Sequence, residues 1–405
     1  MAVLLAVAVV VRLRQGASTA ATGVLLLLAV GCAAAWVVRT LLLASIRGRA
    51  YLGPATMAVA STTIMLLALE GVLRVAGMRA TYSERNGNPV YRSVYTYDQP
   101  VWYHTFGRNR TQREVRTEFT QIRKTNSLGL PEVEVPVEKP VGEYRLLALG
   151  DSFTEGVGAD YAETWVRVVE GELSPLSDGR VLRAIDAGVG GSDVLLEYVL
   201  LRDKLAPFRP DIVVVVVNNS DVADVMTRGG MERFRPDGRA FANRGPWWDW
   251  LYGISFITRH VVHDVLGRSW LLLTPAQQAD AEAEARAHLA SGIDALATLS
   301  RQIGAQFAVV FHPMQGEVQD GLYEAAFRPL VESVKASRPT QAIDLLARYQ
   351  SEGVLTPVTS GDYYWPVDRH HNARGYRLMG KAIARELREH GLVPTDRSPR
   401  AVDAP

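Results

Sequence analysis

Gly150-Asp151-Ser152-Phe153-Thr154-Glu155-Gly156 follows an apolar run at 144–149 that reads as a β-strand. A small residue before a serine at a strand-to-helix turn lets the hydroxyl project above the sheet. The same turn aims backbone N–H groups of the new helix at that spot, ready for a developing oxyanion. An isolated G-D-S is an ordinary helix cap, but a second motif stands near the C-terminus. There Asp368-Arg369-His370-His371-Asn372-Ala373-Arg374-Gly375 precedes a helical stretch. An acid close to an imidazole orients one tautomer and makes the base that a serine nucleophile needs. The pair of motifs points to nucleophilic acyl transfer.

The elements that must bring these motifs together alternate strand and helix. Helical patterns are predicted over 165–173, 194–205 and 373–390, and strands over 144–149, 181–185, 211–217 and 305–311. Ile212 is followed by five valines, the composition of a strand buried on both faces of a parallel sheet. Thr274-Pro275-Ala276-Gln277 has the form of a capping box with Pro at the first helical position, and it opens a long helix to about 303, stopped by Gly304. Alternation of this kind predicts a doubly wound α/β sheet, whose site lies at the carboxyl ends of the strands.

The 405 residues allow two or three domains at about 100–200 residues each. A net charge of +1 argues against a broad nucleic-acid surface, and one cysteine excludes an intrachain disulfide framework or a thiolate metal cluster. That charge averages two unlike segments. Residues 1–80 hold seven Arg, no Lys and one acid, Glu70, for a net +6, whereas the other 325 residues balance at −5. The basic segment contains two uncharged runs of nineteen residues, 20–38 and 51–69. At about 1.5 Å per residue each nearly spans a bilayer core, so transmembrane helices are expected over about 20–38 and 51–73. Arg39, Arg47 and Arg49 make the link between them basic and, by the positive-inside tendency, cytoplasmic. Cys32 falls mid-span. A third apolar stretch, 1–11, is too short to cross and reads as a partial span or a misassigned start. Glu70 and Arg74, four apart, are expected to share a helix face as an interfacial ion pair. Residues 80–140 are polar with scattered aromatics and read as an extended lead-in packed on the body.

The motifs resemble the SGNH/GDSL hydrolase family, and more closely its membrane-anchored bacterial branch. GDSFTEG is similar to the family's first block, Thr125-Asn126-Ser127-Leu128-Gly129-Leu130 to the N-S-x-G lead-in of that branch, and Glu163-Thr164-Trp165 to a further segment of it. The end of the last span, Glu70 to Arg74, resembles the anchor helix of that branch. Asp186-Ala187-Gly188-Val189-Gly190-Gly191 resembles the second block, and the stretch from Asp368 the D-x-H-x-N form of the last. The resemblance runs from about 60 to 390. It implies a three-layer flavodoxin-like sandwich with a parallel central sheet, with a body over 141–395, an insertion at about 226–274 and a disordered tail at 396–405. It also implies Ser152 as nucleophile, Asp368 and His370 as acid and base, and N–H groups of Ser152 and Gly191 in the oxyanion hole. The D-x-x-H spacing of other members would select His371 instead. At the third block the family has Asn before Asp, and this chain has Ser220 before Asp221, with Asn218 and Asn219 just ahead. Either Ser220 or Asn219 then completes the hole.

The expected activity is a membrane-anchored serine esterase that removes acyl groups from envelope glycans or lipids, its body facing the periplasm or exterior. An O-acyltransferase with the same triad and a glycan-binding pseudoenzyme are the rivals. No cofactor, metal or nucleic-acid partner is expected. Three features fall outside these motifs: His260 and His263 near Asp264, with no third metal ligand evident; His312, before Pro313 at a strand end; and Trp247, Trp248, Trp250 and Tyr252, a cluster suited to sugar stacking, lipid contact or packing of a lid.

Overall fold

The computed structural model describes residues 36, 39, 40, 43, 52–75, 95–96, 105–234, 255–261 and 275–395. The expected first span apart from residue 36, Cys32, the stretch 1–11, the aromatic cluster at 247–252, His263 and the 396–405 tail lie outside them. So does most of the insertion. The chain divides into two compact units, Met1–Tyr95 with Asn243–Gln278, and Thr96–Ala242 with Ala279–Pro405.

In the first unit, helix α1 (Leu52–Val75) contains a 21-residue stretch, Gly53–Leu73, long and apolar enough to cross a membrane by length and composition. Its apolar side chains are outward, with Met57, Ile64 and Met65 each more than 60% exposed. Glu70 is the exception, at 1% exposed. Its carboxylate accepts from Ser255 Oγ (3.1 Å) and from the N–H groups of Phe256 (2.9 Å) and Ile257 (3.1 Å), at the start of the short helix Phe256–His260. These are first-turn donors that a helix cannot satisfy itself. The expected partner, Arg74, has its side chain outside the described residues, so that pair falls outside them; Glu70 also serves a helix 185 residues downstream.

The second unit is the α/β body. Part of the lead-in, expected to be extended, is an antiparallel hairpin of β1 (Thr111–Val115) and β2 (Thr120–Lys124). The central sheet consists of β3 (Glu143–Leu149), β4 (Val181–Asp186), β5 (Ile212–Val217), β6 (Gln306–Phe311) and β7 (Ala342–Asp344). All neighbours are parallel, in the order β4-β3-β5-β6-β7, with Leu147 of β3 opposite Ile185 on one side and Val213 on the other. Every residue of β5 is buried. Burial of each valine contributes about 1.5–3 kcal/mol, which favours the central position that this strand takes between β3 and β6.

The helices are α2 (Ser152–Glu155), α3 (Trp165–Leu173), α4 (Val194–Leu200), α5 (Asn219–Arg228), α6 (Pro275–Gln302), α7 (Gln315–Asp320), α8 (Arg328–Ser337), α9 (Leu345–Glu352) and α10 (Ala373–Glu389). After β3 the chain steps to the β4 edge and then back across to β5. Right-handed crossovers therefore put α3 and α4 on opposite faces. Helix α10 packs on α3, with Gly380 against Val168 and the Trp165 carbonyl, and α6 packs on α4, with Gly292 against Val194 and Leu195. Three layers result. The strand order reverses between β3 and β5, and in open parallel sheets the crevice at the carboxyl ends there is the binding position.

Candidate active site

Ser152 leaves β3 at that reversal. Gly150 has φ +153°, and a Cβ there would stand 2.1 Å from Thr154 Oγ1, so only glycine permits the sharp turn into α2. Asp151 caps α2, its carboxylate accepting from the Phe153 N–H (2.9 Å). The other carboxylate oxygen accepts from Asn218 Nδ2 (2.9 Å), the cap of α5 beyond β5. Burial pushes the Asp151 carboxyl above its usual range, and these hydrogen bonds oppose the shift only in part.

The motif at 368–371 sits on a tight loop ahead of α10. Trp365 N–H donates to the His370 carbonyl (2.8 Å), Arg369 N–H donates to the Trp365 carbonyl (2.9 Å), and Tyr364 bridges His371. Arg369 reverses the chain at φ +69°, which brings the acid back onto the imidazole two residues later. His370 Nδ1 lies 2.5 Å from Asp368 Oδ1, and its Nε2 lies 2.8 Å from Ser152 Oγ. An ionised carboxylate only accepts, so Nδ1 carries the proton and the Nε2 lone pair faces the serine hydroxyl. Burial raises the Asp368 carboxyl, but the hydrogen bond and charge of His370 and the charge of Arg116 outweigh it, and the net shift is downward. The acid stays ionised.

His371 faces the other way. Its Nδ1–H donates to the Tyr363 carbonyl (3.0 Å), leaving Nε2 to accept from His312 Nε2 at 2.9 Å. Both rings are fully buried, and the Phe153 ring lies between His312 and His370, at 4.4 and 4.8 Å. Burial depresses His371 to about 3 and His312 well below its ordinary value. A histidine neutral when folded but protonated when unfolded makes stability fall as pH drops through its unfolded value. The contribution of His371 is therefore complete above about pH 6.5 and is lost between there and about pH 3. His371→Gln is expected to cost about 1–3 kcal/mol at pH 7, through buried hydrogen-bond groups left unpaired, and to flatten that acid limb. Thermal melts across pH check this; an unchanged acid limb would contradict it.

The second loop, after β4, is drawn close to the turn that carries Ser152. A Cβ on Gly188 would meet the Glu155 nitrogen at 2.2 Å, so the two backbones touch only because that residue is glycine. Val189 N–H donates to the Gly150 carbonyl (3.0 Å), and Gly190 N–H to Glu155 (2.8 Å). Arg228 of α5 holds the Gly191 carbonyl (2.7 Å) and Asp193 (3.0 Å), and Arg233 also binds Asp193. Although burial works against it, these guanidinium groups hold the Asp193 carboxyl at about 2. In the third loop, Ser220 Oγ donates to Asn218 Oδ1 (2.7 Å) and lies 3.5 Å from Asp151. Asn219 is engaged with Glu317 of α7, a carboxyl that burial raises to about 7. Of the residues read from sequence, Ser152, His370 and Asp368 thus form one hydrogen-bonded line, and His371 and Asn219 bond elsewhere. Asn218, Glu155 and Arg228 were not assigned roles by the sequence, although Glu155 lies within the first motif itself.

No family model and no curated protein matches the chain. Among solved structures it is similar to TesA, at 15% identity, covering 61% of this chain and 99% of that one, with a TM-score of 0.36. A lipase, Lip_vut3 from a goat rumen metagenome, is similar at 15% identity, 62% and 98% coverage and a TM-score of 0.39. Axe2, an acetylxylan esterase from Geobacillus stearothermophilus, is similar at 17% identity, 63% and 97% coverage and a TM-score of 0.36.

Proposed function

We propose that this chain is a membrane-anchored serine esterase that de-O-acylates carboxylic esters of cell-envelope glycans or lipids. The observation that carries the chemistry is the line from Ser152 Oγ through His370 to Asp368, at 2.8 and 2.5 Å. Ser152 attacks the ester carbonyl and His370 Nε2 takes its proton, while Asp368 holds the imidazolium that forms. The N–H groups of Ser152 and Gly191 are the donors for the tetrahedral oxyanion. Ser220 and Asn218 brace Asp151 beneath the turn. His370 then protonates the leaving alcohol, the acyl group stays on Ser152, and water activated by His370 releases the carboxylic acid and restores the serine.

The outward apolar face of α1 supports anchoring, since a core helix of that length would bury it. The arginine-rich link at 39–49 is the cytoplasmic loop, which directs the body toward the periplasm or exterior, where envelope glycans and lipids are the acylated partners.

The detergent-solubilised chain is expected to cleave p-nitrophenyl acetate and to release acetate from an acetylated oligosaccharide. Acylated product formed with an added glycan acceptor, without free acetate, would favour the transferase instead. Absence of both activities would contradict the reading. A reporter fused after residue 80 that is active only in the cytoplasm would contradict the orientation.

A further inference from the structure

The hairpin β1–β2 touches both halves of the site. On the buried face of β2, Gln121 pairs with the backbone after α2, donating to the Gly156 carbonyl (3.1 Å) and accepting from the Gly158 N–H (3.2 Å). Arg123 forms an ion pair with Glu155. At its tip, closed by Arg116 N–H on the Phe119 carbonyl (2.9 Å), the contacts are with the acid–base loop. The Glu118 carboxylate accepts from the N–H groups of Val367 (3.0 Å) and Asp368 (2.7 Å). Arg116 Nη1 lies 3.5 Å from Asp368 Oδ2, the oxygen that His370 leaves unused. The Phe119 ring packs on Trp365 at 5.4 Å, and the Trp365 indole N–H donates to the Gly158 carbonyl (2.9 Å).

The loop these contacts hold is closed only in part by its own hydrogen bonds. Its internal hydrogen bonds end at Trp365, Arg369 and His370, and the N–H groups of Val367 and Asp368 point outward to Glu118. Arg369 sits in the left-handed region, which a residue with a Cβ adopts only at a cost. Such a conformation persists where its surroundings fix it. The backbone that carries Asp368 is thus held in part by a carboxylate 250 residues upstream.

We propose that the tip of the hairpin is a positioning element of the esterase machinery. Glu118 holds the backbone that carries the acid, and Arg116 holds the outer oxygen of Asp368. This rests on the esterase reading above and assigns the lead-in a part in turnover beyond stability.

The test uses the full chain with Glu118→Ala, Glu118→Gln and, as a control on an exposed hairpin position, Arg113→Ala. A displacement of about 1 Å in a catalytic group costs on the order of 100-fold in rate. Glu118→Ala is therefore expected to lower kcat on p-nitrophenyl acetate by about 10- to 100-fold with KM nearly unchanged. Glu118→Gln keeps one acceptor oxygen and should recover part of the loss. In parallel, the downfield proton resonance of the His370–Asp368 hydrogen bond, assigned by its absence in Asp368→Asn, should weaken in Glu118→Ala and return in Glu118→Gln. A kcat for Glu118→Ala equal to that of Arg113→Ala would overturn the proposal, as would a loss confined to KM or to melting temperature. An inert wild type would overturn the esterase reading instead, and the proton resonance would still decide whether Glu118 positions the pair.

Discussion

His370→Ala is expected to lower kcat on a simple ester by about a million-fold, close to the loss from removing an entire triad. The imidazole is hydrogen-bonded to Ser152 Oγ, and its removal leaves a serine hydroxyl that cannot be deprotonated at neutral pH. The neighbouring His371 cannot substitute. Its Nε2 is committed to His312 and its Nδ1 to the Tyr363 carbonyl, both inside the core. His371→Gln should accordingly retain turnover. Steady-state kinetics on the two variants side by side check this, and the reverse ranking would contradict the assignment of the base.

Asp368→Asn is expected to cost about 10,000-fold in kcat with the fold intact. The carboxylate fixes the proton on Nδ1, so the lone pair on Nε2 is available to the serine. An amide can present its own N–H to Nδ1, which moves the ring proton to Nε2 and points it at Ser152. The same change removes the charge that stabilises the imidazolium and leaves Arg116 facing a neutral group. A variant that keeps wild-type kcat would mean that the acid is dispensable to orientation.

The sheet was largely legible in the sequence because its strands are buried on both faces. The apolar runs at 144–149, 181–185, 211–217 and 305–311 correspond to β3–β6 to within a residue or two. The edge strand β7 has only three residues, too few for any period to register. The hairpin escaped for another reason. Gln121 and Arg123, its inward residues in β2, are polar because they meet backbone groups and Glu155 rather than a hydrophobic layer. A strand polar on both faces reads as loop. The long helix begins at Pro275 and ends at Gln302, close to its expected stop, since proline and glycine act locally.

Tertiary partners were the illegible part of the site. His370 and His371 are neighbours in sequence, and only the bridge between Tyr364 and His371 separates their directions. The Asn218-Asn219-Ser220 run offered three amide or hydroxyl side chains, and the cap of α5 decides that Asn218 meets Asp151. Glu70 reads in sequence as one half of an i, i+4 pair, and nothing near it announces that it also meets a helix start at Ser255. Glu118 carries no local signal at all; its meaning lies in two N–H groups at the other end of the chain.

The most direct test of the central claim is to treat the chain with a fluorophosphonate and map the adduct by mass spectrometry. The geometry predicts one adduct per chain, on Ser152, absent from Ser152→Ala and from His370→Ala. No adduct on the wild type, or an adduct that persists in Ser152→Ala, would contradict it.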